Sequence, residues 1–257
     1  MAAASGRAGG NGRLDQIREA WTTLGAEDPL WAVCVDRDRR GGRWDLAEFM
    51  ATGAAEVAVV MDRLDQLGIC PARAAALDFG CGVGRLTGAL SDHFGSVTGV
   101  DIAEPMLARA RALHTGRPGC TFIANEVPDL GLFADGTFDL VYSSLVLQHL
   151  PPDLAAGYLR EFVRILRPGG AIAIVVPRAH LRTPSGLVYS LAPQPLIGFL
   201  QRTFFGYRAA MQMHTLPARR AARIVEPAGA RLLASDPRPG VGPHWHFACH
   251  FIAKPEG

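Results

Sequence analysis

The chain has one lysine, Lys254, and its other 25 basic side chains are arginines. Between Glu161 and Glu226 there is no aspartate or glutamate, yet nine arginines fall in that interval. With abundant alanine, glycine and proline, the arginine preference reads as the codon bias of a GC-rich bacterial genome and carries no chemistry of its own. The formal net charge of +2 is too small to mark a nucleic-acid binder, and no nucleic-acid partner is expected. The five cysteines, Cys34, Cys70, Cys81, Cys120 and Cys249, are odd in number, widely spaced and form no C-x-x-C. That pattern indicates neither a disulfide framework nor a zinc knuckle and fits a reducing, cytoplasmic setting. No apolar run approaches the roughly 18 to 20 residues of a membrane span. MAAASGRAGGNGR lacks the apolar centre of a signal peptide, and no membrane association is expected.

The 257 residues suffice for one generous domain, which should bury about 70 to 75% of the surface it exposes when unfolded. Residues 1–13 are expected to form a disordered tail. LDQIREAWTTLG and LAEFMATGAAEVAVVMDRLDQLG read as helices, the second ending at Gly68, with a loop containing Trp31, Arg43 and Trp44 between them. From residue 73 onward strands and helices alternate, which predicts a parallel sheet with helices on both faces. The strands are AAALDF, SVTGVDI, TFIAN, FDLVYSS and AIAIVVP. A helix beginning near Asp153 places Ala155, Leu159, Phe162, Val163 and Leu166 on one face and is expected to stop at Pro168, Gly169 and Gly170. A segment of about 40 residues, Arg178 to Pro217, then precedes the helix ARRAARIV and two terminal strands, ARLLASDP and HWHFACHFIAKP. Insertions of that length inside a compact domain are usually functional.

The run ALDFGCGVGRL, from Ala76 to Leu86, ends a strand in Asp78, turns through Gly80, Gly82 and Gly84, and opens a helix at Arg85. Glycine is needed where the backbone turns tightly and a ligand comes close, while the free N–H groups of the following helix point at that ligand. Dinucleotide-binding turns use G-x-G-x-x-G, and the third glycine here is in the wrong place for NAD. Asp101 ends the second strand, 17 residues beyond Gly84, where a carboxylate can accept hydrogen bonds from both hydroxyls of a ribose.

Acid-x-Gly-x-Gly-x-Gly after the first strand, Asp101, SSLVLQHLPPD after the fourth strand and RPGG at Arg167 to Gly170 together resemble the class I S-adenosylmethionine-dependent methyltransferases over roughly residues 73 to 178. The resemblance implies an α/β, Rossmann-like, doubly wound and mostly parallel seven-stranded sheet with an antiparallel last strand. It divides the domain into an N-terminal helical cap (14–69), a cofactor-binding core (70–177), a substrate lid between strands five and six (178–217) and a C-terminal helix and strands (218–257). S-adenosyl-L-methionine is the implied cofactor and S-adenosyl-L-homocysteine the product. Asp78, Gly80, Gly82 and Gly84, with Arg85 beside them, would hold the methionyl end, and Asp101 the ribose. Either Asn125 or Glu126 would meet the adenine amine, with Ile102 and Met106 packed on the ring and Ser143 in the segment beneath the cofactor. Trp44 is the expected lid residue, since an arginine and two glycines precede it.

The implied reaction is an in-line displacement at a sulfonium methyl, directed to an O or N atom of a small molecule, with carbon as the third choice. The cofactor is already activated, so the protein supplies alignment and a dry site. A base is needed only where the nucleophile carries a proton that must leave. His214, where the insertion returns to the sheet, is the preferred candidate, with His149 and Tyr142 beside it. The insertion joins LVYSLAPQPLIGFLQRTFFGY to Arg178, Arg182, Arg202, Arg208, Arg219 and Arg220, a combination suited to an amphipathic acceptor bearing a carboxylate or phosphate, such as a bacterial secondary metabolite. His244, His246 and His250 share one strand face but lie about 7 to 13 Å apart, too far for one tetrahedral ion, and no metal is expected. Two alternatives stay open: a protein or RNA methyltransferase, for which no appended binding module is visible, and a non-catalytic nucleoside-binding protein on the same fold. A homodimer is compatible with either.

Overall fold

The computed structural model describes residues 3–34, 37–180, 213–238 and 245–256. Its strands are β1 (Ala75–Phe79), β2 (Ser96–Asp101), β3 (Cys120–Ala124), β4 (Phe138–Ser144), β5 (Leu166–His180), β6 (Arg231–Arg238) and β7 (Trp245–Ala253). They form one sheet in the order β3-β2-β1-β4-β5-β7-β6. β1 to β5 are parallel, and β7 runs antiparallel to both β5 and β6. The expected fold class holds, with the antiparallel strand inserted as last but one in space. The order reverses between β1 and β4, and in open parallel sheets the crevice at such a point, beyond the carboxyl ends of the strands, is where ligands bind.

The helices are α1 (Ala3–Glu27), α2 (Pro29–Val33), α3 (Leu46–Gln66), α4 (Arg85–Leu90), α5 (Glu104–Leu113), α6 (Pro152–Ile165) and α7 (Ala218–Val225). α3 starts where Asp45 Oδ1 accepts the Glu48 N–H at 2.9 Å, and it buries Phe49, Gly53, Val57, Val60, Met61 and Leu64 at helical spacing. With α4 it covers one face of the sheet, against Ala76, Leu140 and Ala173. α6 and α7 cover the other face, against Leu77, Val141 and Ile174. Strands β1 and β4 are buried on both sides, which is why AALDF and FDLVYSS read as nearly continuous apolar runs rather than alternating ones.

Four expectations about boundaries need correction. Residues 3–13, placed in a disordered tail, belong to α1. Their glycines oppose helix, but a helix extended from a part that is already packed, such as Leu14, needs no new nucleus. The loop before α3 contains α2, opened by Asp28 accepting the Trp31 N–H, and a single 3-10 turn at Arg37–Arg39. α6 stops at Ile165, before the RPGG, because Leu166 already pairs with Phe138 while Ala171 pairs with Leu140. The RPGG therefore bulges inside β5, with Gly169 at φ +76° and Arg167 Nη1 donating to the buried Asp139 at 2.9 Å. Residues 178–180, expected to open the lid, continue β5 opposite His246 and Trp245 of β7. Residues 181–212 of the lid, with Arg182, Arg202 and Arg208, lie outside the described residues, as does His244.

The single lysine has a structural task. Lys254 Nζ donates to the carbonyls of Val163 at 2.9 Å and Leu166 at 2.8 Å, closing the C-terminal end of α6 where backbone acceptors lack helical partners. Replacing Lys254 by Met keeps the stem and removes the donors. The expected loss is about 1 to 3 kcal/mol of unfolding free energy in urea titrations, and an unchanged midpoint would show that water substitutes fully.

Candidate active site

The glycine turn after β1 folds back onto the end of β2. Gly80 and Cys81 N–H both donate to Val100 O, at 2.7 and 3.0 Å, and Gly82 N–H donates to Asp101 Oδ2 at 2.8 Å. Gly80, Gly82 and Gly84 all take positive φ, at +76°, +53° and +83°, where other residues are strained. Space forbids side chains as well. A Cβ on Gly80 would lie 2.2 Å from Val146 Cγ2, and one on Gly84 would lie 2.7 Å from His114 Nε2. The segment after β4 and the end of α5 thus clamp the turn from two sides.

Two carboxylates flank it. Asp101 Oδ1 accepts the Ala103 N–H at 2.9 Å while its other oxygen holds Gly82, so the acid shapes the loop besides standing where a ribose would be read. Burial raises its pKa, opposed by these backbone donors. Asp78 is 1% exposed; Oδ2 accepts from Thr87 Oγ1 at 2.6 Å, whereas buried Oδ1 has no partner among the described residues. Burial pushes its pKa up to about 7, against the Thr87 hydrogen bond and the nearby Arg85. A buried acceptor left without a donor costs free energy unless a ligand supplies one.

The other expected cofactor residues fall into two groups. Ile102 stays partly buried at the end of β2. Met106 is buried, but it packs under α1, where its Cγ would lie 2.9 Å from a Cβ on Gly25. Asn125 turns inward, its Nδ2 donating to the carbonyls of Val127 and Asp129 at 3.1 and 3.0 Å, so it holds the turn after β3. Glu126 faces outward and accepts from Arg18 of α1 at 2.6 Å. Ser143 Oγ donates to Phe79 O at 3.0 Å and pins β4 to β1 at the reversal point. Trp44 packs edge-on against Phe49, with Nε1 donating to Cys34 O at 3.2 Å, in the cluster that also holds Val83 of the glycine turn.

Arg85 stands apart from these. It is 5% exposed, and its Nη2 pairs with Glu56 Oε2 of α3 at 3.0 Å. Glu56 Oε1 also accepts from Tyr142 Oη and Ser144 Oγ, both at 2.6 Å, and from Arg238 Nη1 at 3.3 Å. Burial works to raise the pKa of Glu56, but the two arginines and the two hydroxyls outweigh it and hold the carboxylate ionised. α3 meets α4 closely here, since a Cβ on Gly53 would lie 2.6 Å from Arg85 O. Sequence reasoning missed Glu56, although an acid one turn from Gly53 and Val60 on the apolar stripe of a helix is itself a signal.

Of the proposed bases, Tyr142 is fully buried and donates to Glu56. Burial and that carboxylate push its pKa well above 10.0, so the phenol keeps its proton and does not serve as a base. His149 and His214 come to one place. The His214 N–H donates to Gln148 O at 2.8 Å, next to His149, whose ring meets Trp21 of α1 edge-on at 5.1 Å between centroids. Burial and the charge of Arg220 lower the His214 pKa, which favours the neutral, proton-accepting ring. The returning strand segment is fixed by His250, fully buried, whose Nε2 donates to Leu216 O at 2.8 Å. Among the described residues no cluster of His, Cys, Asp and Glu could hold a metal ion.

The crevice fits the methionyl and nucleoside ends of a sulfonium cofactor: an unpartnered buried Asp78 oxygen for an ammonium, a turn without Cβ atoms, and a strand-end acid. Residues 77–174 match a family described as Methyltransferase domain. Trans-aconitate 2-methyltransferase of Deinococcus radiodurans is 38% identical over 111 residues, 42% of this chain and 39% of that one. Ubiquinone biosynthesis O-methyltransferase of Pseudomonas aeruginosa is 33% identical over 132 residues, 46% of this chain and 53% of its own. The chain thus spans about half or less of these curated relatives. The magnesium protoporphyrin IX methyltransferase of Synechocystis, solved with bound S-adenosylhomocysteine, superposes with a TM-score of 0.60 at 18% identity, over 93% of this chain and 98% of that one. The glycine turn and the strand-end acid lie within the stretch that matches the methyltransferase domain, and the chain is similar to S-adenosylmethionine-dependent methyltransferases in that stretch and in its fold.

Proposed function

We propose that the protein transfers a methyl group from S-adenosylmethionine to an oxygen of a small amphipathic anion. The observation that carries the reading is the glycine turn tied to Asp101, together with an Asp78 oxygen at the end of β1 that is buried without a hydrogen-bond partner among the described residues. When bound, the cofactor would supply a methyl group already activated on sulfur, open to in-line attack by the acceptor oxygen with the thioether as leaving group. The chain's own residues orient and exclude water. Asp78 receives the ammonium, Asp101 the ribose, and Val146 with Trp44 walls the turn. His214 and His149 stand on the acceptor side.

An ionised acceptor oxygen has no proton to lose, so His214 positions rather than deprotonates. Its replacement by Gln should leave kcat within about threefold and the profile flat between about pH 6 and 8. A fall of roughly 10²-fold with a new acid limb would instead identify a protonated acceptor and a base.

The cofactor site is testable without an acceptor. Titration calorimetry with S-adenosylhomocysteine should show binding, and Asp101→Ala should weaken it by about 1 to 3 kcal/mol. Unchanged affinity would remove the ribose from Asp101.

Asp78 adds a pH dependence with a fixed sign. Its unfolded-state pKa is near 3.8 and its folded one about 7, so folding takes up a proton in between. The stability of the free protein should therefore fall as pH rises through that window, then level off. An ammonium ligand prefers the ionised acid, so its affinity should rise with pH up to about 7. Asp78→Asn should reduce both slopes, leaving in the stability curve the part that belongs to Asp101, whose pKa burial also raises, and slopes unchanged in the variant would place the titrating group elsewhere.

A further inference from the structure

The segment that follows β4 is strained and carries an unused acceptor. Leu145 takes φ +62°, a left-handed conformation that side chains other than glycine rarely adopt, while its N–H donates to Val175 O at 3.0 Å. Such strain persists where the surroundings over-determine it, and it clusters at functional sites. Val146 then covers Gly80, Leu147 enters the core, and Leu147–His149 form one 3-10 turn. Gln148, in the middle of that turn, is 5% exposed. Its Nε2 donates to His149 Nε2 at 3.4 Å, long for a hydrogen bond, and its Oε1 is buried without a partner among the described residues. An amide oxygen can accept from two donors, and burying it with none costs free energy that an apolar side chain of similar shape would not incur.

The place of this glutamine is fixed by its neighbours. Its backbone carbonyl accepts the His214 N–H at 2.8 Å, the ring of His149 meets Trp21 of α1 edge-on, and Val146, two residues earlier, lies against the cofactor turn at Gly80. The segment carrying His214 is set in turn at Leu216, whose N–H donates to Pro177 O and whose carbonyl accepts from His250 Nε2, both at 2.8 Å. Gln148 thus links the glycine turn to the pair His149 and His214. On the reading above, the ammonium and the ribose hydroxyls of the cofactor go to Asp78 and Asp101, and its sulfur has no proton to offer. The missing donor therefore belongs to the acceptor.

We propose that Gln148 determines acceptor specificity, its Oε1 taking a hydrogen bond from a hydroxyl on the same molecule as the anionic group, so that the acceptor is a hydroxy acid rather than a plain carboxylate. This rests on the reading of the chain as a methyltransferase of amphipathic anions. The burial of the amide makes the requirement selective, because an acceptor without the hydroxyl leaves Oε1 as unpaired as it is in the free protein.

The test measures binding of 2-hydroxyoctanoate and 3-hydroxyoctanoate, their methyl ethers and octanoate, by calorimetry on the protein loaded with S-adenosylhomocysteine. Wild type should bind at least one hydroxy acid about tenfold more tightly than both its ether and octanoate. Gln148→Met should erase that order while S-adenosylhomocysteine affinity stays within about twofold. Gln148→Glu keeps an acceptor and should keep the order, with every anion bound more weakly. Because the methionine has no orphaned oxygen, it should also raise the urea midpoint of the free protein, by about 0.2 to 0.5 M. Equal binding by wild type, which an amide presenting its N–H end would give, overturns the assignment, as does failure of every probe to bind or an order that survives in Gln148→Met. A lowered midpoint in Gln148→Met would show the oxygen already satisfied, and a loss of S-adenosylhomocysteine affinity would assign the amide to the cofactor; either overturns it too. Should the methionine variant fail to fold, the wild-type comparison and Gln148→Glu still decide. Loss of S-adenosylhomocysteine binding in wild type would instead overturn the methyltransferase reading, and the same probes on the free protein would then judge the Gln148 site alone.

Discussion

The hydrogen bonds that fold the glycine turn onto the end of β2 are the constraint on which the site depends. Val100 O takes two N–H donors from the turn and Asp101 takes a third. Those bonds force the backbone through positive φ at alternate residues, and only glycine meets that demand without strain. They also place the start of α4 directly after the turn, where Gly84 offers no side-chain cap to its first N–H groups. An acid at the end of β2 is therefore doubly used. Even without ligand it is a brace, and its removal would disturb the loop as well as any ribose contact.

The core was readable because its signals are local. Five parallel strands, the acid-glycine turn and the stripes of α3 and α6 each follow from the spacing of apolar side chains, and all lie within a few residues of their predicted places. The site was readable in its backbone and less so in its side chains. Asn125 looks like a ligand contact in sequence, yet its amide closes its own turn by donating to the carbonyls of Val127 and Asp129, the first of which also accepts from Tyr158 Oη at 2.7 Å. Tyr142 looks like a base, yet an alternating strand sends it into the face covered by α3. Which face a strand residue takes depends on register with distant elements, and that is not local information. Glu56 was missed for the same reason: its partners are 29, 86, 88 and 182 residues away in sequence.

The two cap helices are held by different physics. α1 meets the core through Leu14 and the edge contact of Trp21. Its ion pairs, Arg13 with Asp153 and Arg18 with Glu126, have side chains 40% to 60% exposed. Pairs of that kind contribute about 0 to 1 kcal/mol each and weaken with salt. α3 is joined through Glu56, where removing one partner strands a buried charge at a cost of about 3 to 5 kcal/mol. Salt and surface substitution therefore act on α1 and leave α3 in place.

That asymmetry also explains why arginine, and not lysine, stands at the buried positions. Glu56 offers two oxygens to four donors from three directions, so each cation must reach it at a fixed angle. A planar guanidinium keeps its other donors oriented while one of them is engaged, whereas an ammonium is a strongly hydrated point charge that resists burial. Arg85 can thus bridge Thr52 and Glu56 at once, tying the first residue of α4 to the middle of α3. Whatever the genome's codon bias contributed to the arginine count, at these two positions the planar fork is what lets one carboxylate hold the cofactor turn and the end of β6 together.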